Sequence, residues 1–132
     1  MGRDDKSKIV DIFMDALERG DAEAAGDCLS PSALVWHSFD CQTNDRATSI
    51  EGWRQFFATT RNRRFVDVIR HEIPGGIVQQ HLMVLRADGG FVGMVAALII
   101  KIEDGKITRV DEYIEPTREL HYTEMPTRTP GF

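Results

Sequence analysis

Four apolar runs in the second half of the chain are separated by short turns that contain glycine. The turns are "PGG", "DGG" and "EDGK", and the runs are "RFVDVIRHEI", "IVQQHLMVLRA", "FVGMVAALIIKI" and "ITRVDEYIE". Runs of this length joined by such turns are typical of antiparallel hairpins. The sequence therefore predicts a four-stranded meander over residues 65–115, with the earlier run at 33–39, "ALVWHSF", as a candidate fifth strand.

The first half of the chain has the apolar spacing of helices. Residues 7–19 repeat apolar side chains every three or four positions, and Gly20 ends the pattern. Asp21 can cap a second short helix, "AEAAGDCL", and Ser49 can cap a third that contains "IEGWRQFF". Three helices followed by an antiparallel sheet make the predicted fold class α+β.

The third run of the meander, "VGMVAALII", is apolar at both alternating positions, which indicates a strand covered on both faces. The helices can cover one face. A second copy of the chain would cover the other, so we expect a homodimer through the sheet face; the alternative cover is the chain's own tail. The domain is predicted to span residues 1–116, and residues 117–132 to form an extended tail.

Charge, cysteine content and the lack of targeting signals limit the classes of binding partner and the expected cellular location. With 21 acidic and 16 basic residues the net charge is −5, which disfavours nucleic acid or an anionic membrane as the main partner. The basic cluster in "TRNRRF" is predicted to be a solvated loop. Cys28 and Cys41 lack the spacing of metal ligands and are predicted to be free thiols. Without a signal peptide or a long apolar segment, the expected location is the cytoplasm.

Three segments carry a resemblance to a known family: "ALERGDAEAAGDCLSPSALVWHS", "IEGWRQFF" and "IEDGKITRVDEYIEP". Over about residues 8–116 their order resembles the NTF2-like superfamily, in its SnoaL-like and ketosteroid-isomerase-like branch. The resemblance implies a cystatin-like cone, in which about three N-terminal helices pack on a curved antiparallel sheet around a central apolar cavity. It also implies proton-transfer chemistry without a metal or organic cofactor, although the fold hosts proteins without catalysis as well.

The resemblance places His37 where ketosteroid isomerases carry an aspartate base. Histidine side chains can take up and release protons near neutral pH. The tyrosine and protonated aspartate of the isomerase oxyanion hole are replaced here by Phe13 and by Ala96 or Ala97, which argues against a steroid isomerase mechanism. The alternative for His37 is a buried, neutral histidine bonded to one backbone carbonyl.

A carboxylate near the end of the sheet is the second implied catalytic group, because SnoaL-type cyclases place an acid/base carboxylate there. The last run offers Asp111, Glu112 and Glu115. Strand alternation puts Glu112 on one face and the other two on the opposite face, without fixing which face meets the cavity. We predict Glu112 and Glu115 as the catalytic partners of His37.

The remaining candidates are ligand contacts. The predicted wall residues of the cavity are Phe13, Trp53, Phe57, His81, Met83 and Tyr113. Asp40, at the predicted mouth, could orient His37 or a ligand. His71 and His81 lie on adjacent predicted strands, but no metal site is predicted because nothing in the sequence brings three ligands together.

Two functions are compatible with this pattern. The leading one is a cofactor-independent isomerase, cyclase or dehydratase that binds a small apolar or polyketide-like molecule and uses His37 for proton transfer. The alternative is a non-catalytic ligand-binding or dimerisation module of the same fold. An open cavity in which His37 and a carboxylate converge would favour the enzyme.

Overall fold

A computed structural model describes residues 3–115 and 117–127. In chain order its elements are α1 (Arg3–Arg19), α2 (Ala22–Asp27), β1 (Leu29–His37), β2 (Gln42–Asp45), α3 (Arg46–Thr59), β3 (Arg61–Ile73), β4 (Gly76–Ala87), β5 (Gly90–Glu103), β6 (Lys106–Ile114) and β7 (Arg118–Leu120). The three helices pack on a curved, mostly antiparallel sheet, so the predicted α+β cone is confirmed.

The predicted meander is present as β3 to β6, each strand antiparallel to the next. The strand order is β2-β1-β6-β5-β4-β3, and β1, the candidate fifth strand, runs parallel to β6. The "PGG" turn needs its last glycine, because a Cβ on Gly76 would lie 2.0 Å from the carbonyl oxygen of Ile100. Glycine therefore allows β4 to begin directly beside β5.

Bulges bend the sheet around the helices. Register shifts interrupt the pairing between Val66 and Ile69 on β3 and between Lys101 and Ile102 on β5. Asp67, in the first of these, has a positive φ of 54°. An extra residue in one strand increases the local bend and twist. The concave face that results is filled at its closed end by apolar side chains of α1, β5 and β6, which are Val10, Phe13, Met14, Ile100, Ile107 and Val110.

The third helix begins earlier than predicted. Asp45, at the end of β2, is its N-cap, and its Oδ1 accepts a hydrogen bond of 2.8 Å from the backbone N–H of Thr48. Ser49, the predicted cap, lies inside the helix and donates to the carbonyl oxygen of Asp45. Both residue types are good caps. The short strand β2, in a segment predicted to be a loop, decides between them.

The chain's own tail covers part of the outer face of the sheet. β7 pairs with the start of β5, and Leu120 and Met125 pack against a second small core on this face. That core consists of Val66, Val84 and Phe91. Other apolar side chains of the outer face, among them Val95 and Tyr113, remain exposed. Pro116 and residues 128–132 of the predicted tail lie outside the described residues.

Candidate functional site

A cavity of about 700 Å³ lies between the inner face of the sheet and helices α1 and α3. Its apolar lining is Met14, Leu17, Trp53, Phe56 and Phe57 from the helices and Phe65, Met83, Met94, Leu98 and Ile114 from the sheet. This volume and this lining are typical of sites for small organic molecules. The predicted wall residues Trp53, Phe57, His81 and Met83 all line it.

Trp53 owes its position to the packing of α3 on α1. The ring of Phe13 meets Trp53 edge-on, with 5.6 Å between centroids. Phe13 itself is buried behind Trp53 and does not line the cavity, although it was predicted as a wall residue. Its contact is with the ring of Trp53, which it supports from behind. Phe57, one turn after Trp53, lines the same side of the cavity.

His37 and Glu112 form a pair on the inner face of the sheet. Their Cα atoms are register partners in the parallel pairing of β1 and β6. The Nε2 atom of His37 lies 3.1 Å from Oε1 of Glu112, and the two side chains are 15% and 19% exposed. Both line the cavity. The contact of His37 is thus with a carboxylate rather than with the backbone carbonyl of the alternative interpretation.

The backbone beyond this pair is fixed by Ser38. Its N–H donates to the carbonyl oxygen of Glu112 at 2.9 Å, and its Oγ accepts from the N–H of Ile114 at 2.9 Å. The Phe39 ring packs on the His37 ring, with 4.9 Å between centroids. The Nδ1 atom of His37 is buried and has no hydrogen-bond partner among the described residues. Of the two ring nitrogens, only Nε2 therefore has a partner among the described residues, and that partner is Glu112.

A second polar group enters the cavity from β4. His81 lines the cavity and is 4% exposed. Gln79, which is fully buried, lies 2.9 Å from Nδ1 of His81 through its Nε2, and its Oε1 accepts from Nε of Arg70 at 2.7 Å. Arg70 in turn pairs with Asp11 on α1 at 2.5 Å. Burial, assisted by the Arg70 charge and opposed by Glu112, lowers the pKa of His81 to about 4, so the ring is neutral at neutral pH.

Two of the three carboxylates at the end of the sheet face the cavity, and the third faces outward. Glu112 faces the cavity, while Asp111 pairs with Arg109 on the outer face, as alternation predicts. Glu115 also lines the cavity, although alternation groups it with Asp111. It lies one residue past the end of β6, where its N–H donates to the carbonyl oxygen of Val95, so the alternation of the strand no longer applies.

Two further predicted contacts lie away from the cavity. Tyr113 is on the outer face, 52% exposed, with its ring 5.0 Å from that of Trp36. Asp40 is in the exposed turn between β1 and β2, where its Oδ1 accepts from the N–H of Gln42 at 2.9 Å. Asp40 therefore stabilises the turn, and it neither bonds to His37 nor lines the cavity.

Sequence reasoning missed Arg63 and Gln79. Arg63, predicted to be in a solvated loop, is 8% exposed on β3, donates to the carbonyl oxygen of Leu17 and stacks on the Phe57 ring at 4.5 Å. Burial lowers the pKa of its guanidinium. The sequence did contain a sign of Gln79. It alternates with Ile77 and His81 on one strand face, and a polar amide on such a face needs a buried partner.

Metal ligands do not converge in the part of the chain that the structure describes. His71 is exposed on β3, away from His37 and His81. Across residues 3–115 and 117–127, no three side chains of histidine, cysteine, aspartate or glutamate are grouped so that they could hold a metal ion. Within the same ranges, no helix has the length and apolar character needed to cross a membrane.

Comparison with known proteins gives a family and a fold. A family model described as a SnoaL-like domain matches residues 10–110. No curated protein gives a significant match. One similar solved structure is a protein of Shewanella denitrificans OS-217, provisionally named a SnoaL-like polyketide cyclase, with a TM-score of 0.74 and 10% identity over 86% of this chain and 92% of that one.

Two more solved structures are comparably similar. A protein of Xanthomonas campestris pv. campestris, provisionally named a polyketide cyclase, has a TM-score of 0.70 and 17% identity over 84% of this chain and 90% of that one. An epoxide hydrolase of M. tuberculosis, described as LEH-like, has a TM-score of 0.71 and 12% identity over 84% of this chain and 83% of that one. At such identities the likeness shows the fold alone.

Proposed function

Because the chain belongs to the SnoaL-like domain family, we propose that it binds a small apolar or polyketide-like molecule in its cavity and moves a proton on it, as a cofactor-independent isomerase, cyclase or dehydratase. The observation that carries this proposal is the His37–Glu112 pair, 3.1 Å apart on the wall of an apolar cavity. The provisional names of two structural neighbours point to the same substrate class.

Within the pair, Glu112 is the base. The Nε2 of His37 is engaged by Glu112 and its Nδ1 is buried, so neither ring nitrogen is accessible to a ligand. A carboxylate has a second oxygen, and the Glu112 side chain keeps 19% of its surface exposed in the cavity. The Nε2–H of His37 donates to Oε1 and orients the carboxylate. His37 thus takes part in proton transfer through Glu112.

The step is a transfer from carbon to carboxylate. A C–H bond of the ligand breaks, the proton goes to Glu112, and the electron pair stays on the ligand. Returning the proton to another atom gives an isomerisation. Attack of the carbanion on a second carbonyl gives a cyclisation when Glu112 returns the proton to the new alkoxide. Loss of a hydroxyl group gives a dehydration when the proton from Glu112 leaves with it as water. Positioned acid–base groups of this kind typically contribute about 10²- to 10⁴-fold in rate.

Ring opening of a nitrobenzisoxazole tests this proposal without knowledge of the natural substrate. A base removes the ring C–H proton, the N–O bond breaks, and a coloured cyanonitrophenolate forms. We expect the folded protein to exceed an equal concentration of free acetate by about 100-fold or more, and we expect the hydrocarbon indane to inhibit by occupying the cavity. A rate equal to that of acetate, or one that indane does not affect, would count against the proposal.

We also propose that two copies of the chain associate through the outer sheet face. Leu34, Val95 and Tyr113 are exposed there although all are large and apolar. Burying them would remove apolar surface from water. Light scattering on a sizing column should give twice the mass of the chain. Val95→Lys should give a monomer, while Ile12→Lys, at an exposed site on α1, should not. A monomeric wild type at every concentration would exclude this association.

A further inference from the structure

We propose that His81 presents its Nε2–H to the cavity as a fixed hydrogen-bond donor, that Gln79 imposes this tautomer, and that the acceptor is the uncharged carbonyl oxygen of the ligand. This inference rests on the proposed function, because it names the substrate class of the same cavity. His81 also supplies a hydrogen-bond donor to the ligand, which Phe13, Ala96 and Ala97, at the positions of the isomerase donors, cannot do. Gln79 is a positioning residue in this arrangement.

The tautomer follows from the order of donors along a buried chain. Arg70 can only donate, so the Gln79 atom 2.7 Å from its Nε must be the amide oxygen. The amide NH₂ group then faces Nδ1 of His81 at 2.9 Å, and that group can only donate. Nδ1 must therefore accept. The single proton of a neutral ring is left on Nε2.

The same chain keeps His81 uncharged. An imidazolium carries a proton on both nitrogens, so its Nδ1–H would point at the amide N–H of Gln79. The ion pair of Arg70 with Asp11 prevents the amide from turning over, because a reversed amide would face Arg70 with its NH₂ group. The low pKa of His81, about 4, agrees with this geometry.

The donor faces the His37–Glu112 pair across β5. His81 lies on β4 and Glu112 on β6. Two strand spacings of about 5 Å and an offset of two residues along the strands, about 7 Å, separate their backbones by roughly 12 Å. The floor between them is Ala96 and Leu98, each a register neighbour of one of the two: His81 pairs with Ala96, and Leu98 with Glu112. The Phe65 ring, 4.7 Å from that of His81, fixes the plane of the imidazole.

This spacing suits a carbonyl compound with an acidic C–H group. Its oxygen accepts from Nε2–H of His81 while the adjacent C–H group reaches Glu112. When Glu112 takes the proton, the electron pair of the C–H bond moves onto the oxygen as an enolate. His81 keeps its own proton and stabilises the new charge through a hydrogen bond that strengthens as the charge develops. A neutral donor of this kind favours ketones and enones.

The tautomer is tested by ¹⁵N NMR of the histidine rings, with His81→Leu used to assign the His81 signals. We expect wild-type His81 to carry its proton on Nε2 and to stay neutral from about pH 5 to 8. In Gln79→Glu the new carboxylate can accept from Nδ1–H, so the ring should move to that tautomer or become charged. The matched control Gln80→Glu, on the adjacent exposed position, should behave as wild type.

Ligand preference is tested with indanone and its hydrocarbon analogue indane. One net hydrogen bond predicts tighter binding of the ketone by about fivefold in the wild type, and equal binding in His81→Phe. His81→Leu replaces His81→Phe if the larger side chain prevents folding. A proton on Nδ1 in the wild type, a ketone preference that survives loss of His81, or binding of neither probe would each overturn the inference.

The two proposals fail separately. If the ring-opening activity is absent but the tautomer and the ketone preference are found, proton transfer is excluded and the ligand class stands. If the activity depends on Glu112 but His81 is an Nδ1–H tautomer, the proposed function stands and the inference about His81 falls.

Discussion

Replacing Glu112 by glutamine should lower kcat/KM for nitrobenzisoxazole ring opening by about 100-fold or more. Glutamine has nearly the same shape, and its amide oxygen can still accept from Nε2–H of His37, 3.1 Å away in the wild type. The amide cannot take up a proton. The loss should therefore be in kcat, with KM little changed, since the apolar walls that bind the probe are intact.

Asp111→Asn is the matched control for this variant. Asp111 is the next residue along the same strand, but it lies on the opposite face and pairs with Arg109. We expect it to keep the wild-type rate within about threefold, because it touches neither the cavity nor the pair. Glu112→Gln at the wild-type rate, or the two variants losing activity equally, would remove the assignment of Glu112 as the base.

Acidification should destabilise the fold through His81. Its pKa is about 4 in the folded protein, whereas the ordinary pKa of a histidine, which we take for the unfolded chain, is 6.5. Between these values the unfolded chain binds the proton and the folded chain does not, so the free energy of unfolding falls as the pH falls. From above pH 6.5 down to pH 4, this single group should remove about 3 kcal/mol of stability.

Urea unfolding at a series of pH values measures the effect. His81→Leu should flatten the dependence between pH 6.5 and 4, whereas His71→Leu, at an exposed position on β3, should leave it unchanged. Asp21 and Asp45, whose pKa values are lowered by backbone N–H groups, lose their contribution only at lower pH. Equal slopes for wild type and His81→Leu would show that His81 does not titrate in the way its burial implies.

Local patterns were enough to predict most of the fold. Glycine turns define the meander because they place short breaks between strands of two-residue period, and alternation alone separated Glu112 from Asp111. The sequence alone could not decide which residue caps α3, because both Asp45 and Ser49 have capping side chains. The strand that decides it, β2, pairs with β1 through only four residue pairs.

The site depends on contacts between residues far apart in the chain. His37 meets Glu112 only because β1 runs parallel to β6 in one register, which no hairpin dictates. Gln79 acquires its role from Arg70, whose position follows the bulge in β3. Glu115 enters the cavity because the strand ends before it. Residue types and periodicity describe none of these contacts, so Glu112 and Glu115 could be predicted as partners of His37 but the choice between them could not.

The most direct test of the His37–Glu112 pair is a double-mutant cycle in kcat/KM for ring opening. His37→Gln keeps an N–H donor close to the position of Nε2 and should stay within about threefold of wild type, while His37→Phe removes the donor and should lose about tenfold. Because His37 acts through Glu112, His37→Phe combined with Glu112→Gln should be no slower than Glu112→Gln alone. Losses that multiply in the double variant would contradict a single proton-transfer unit.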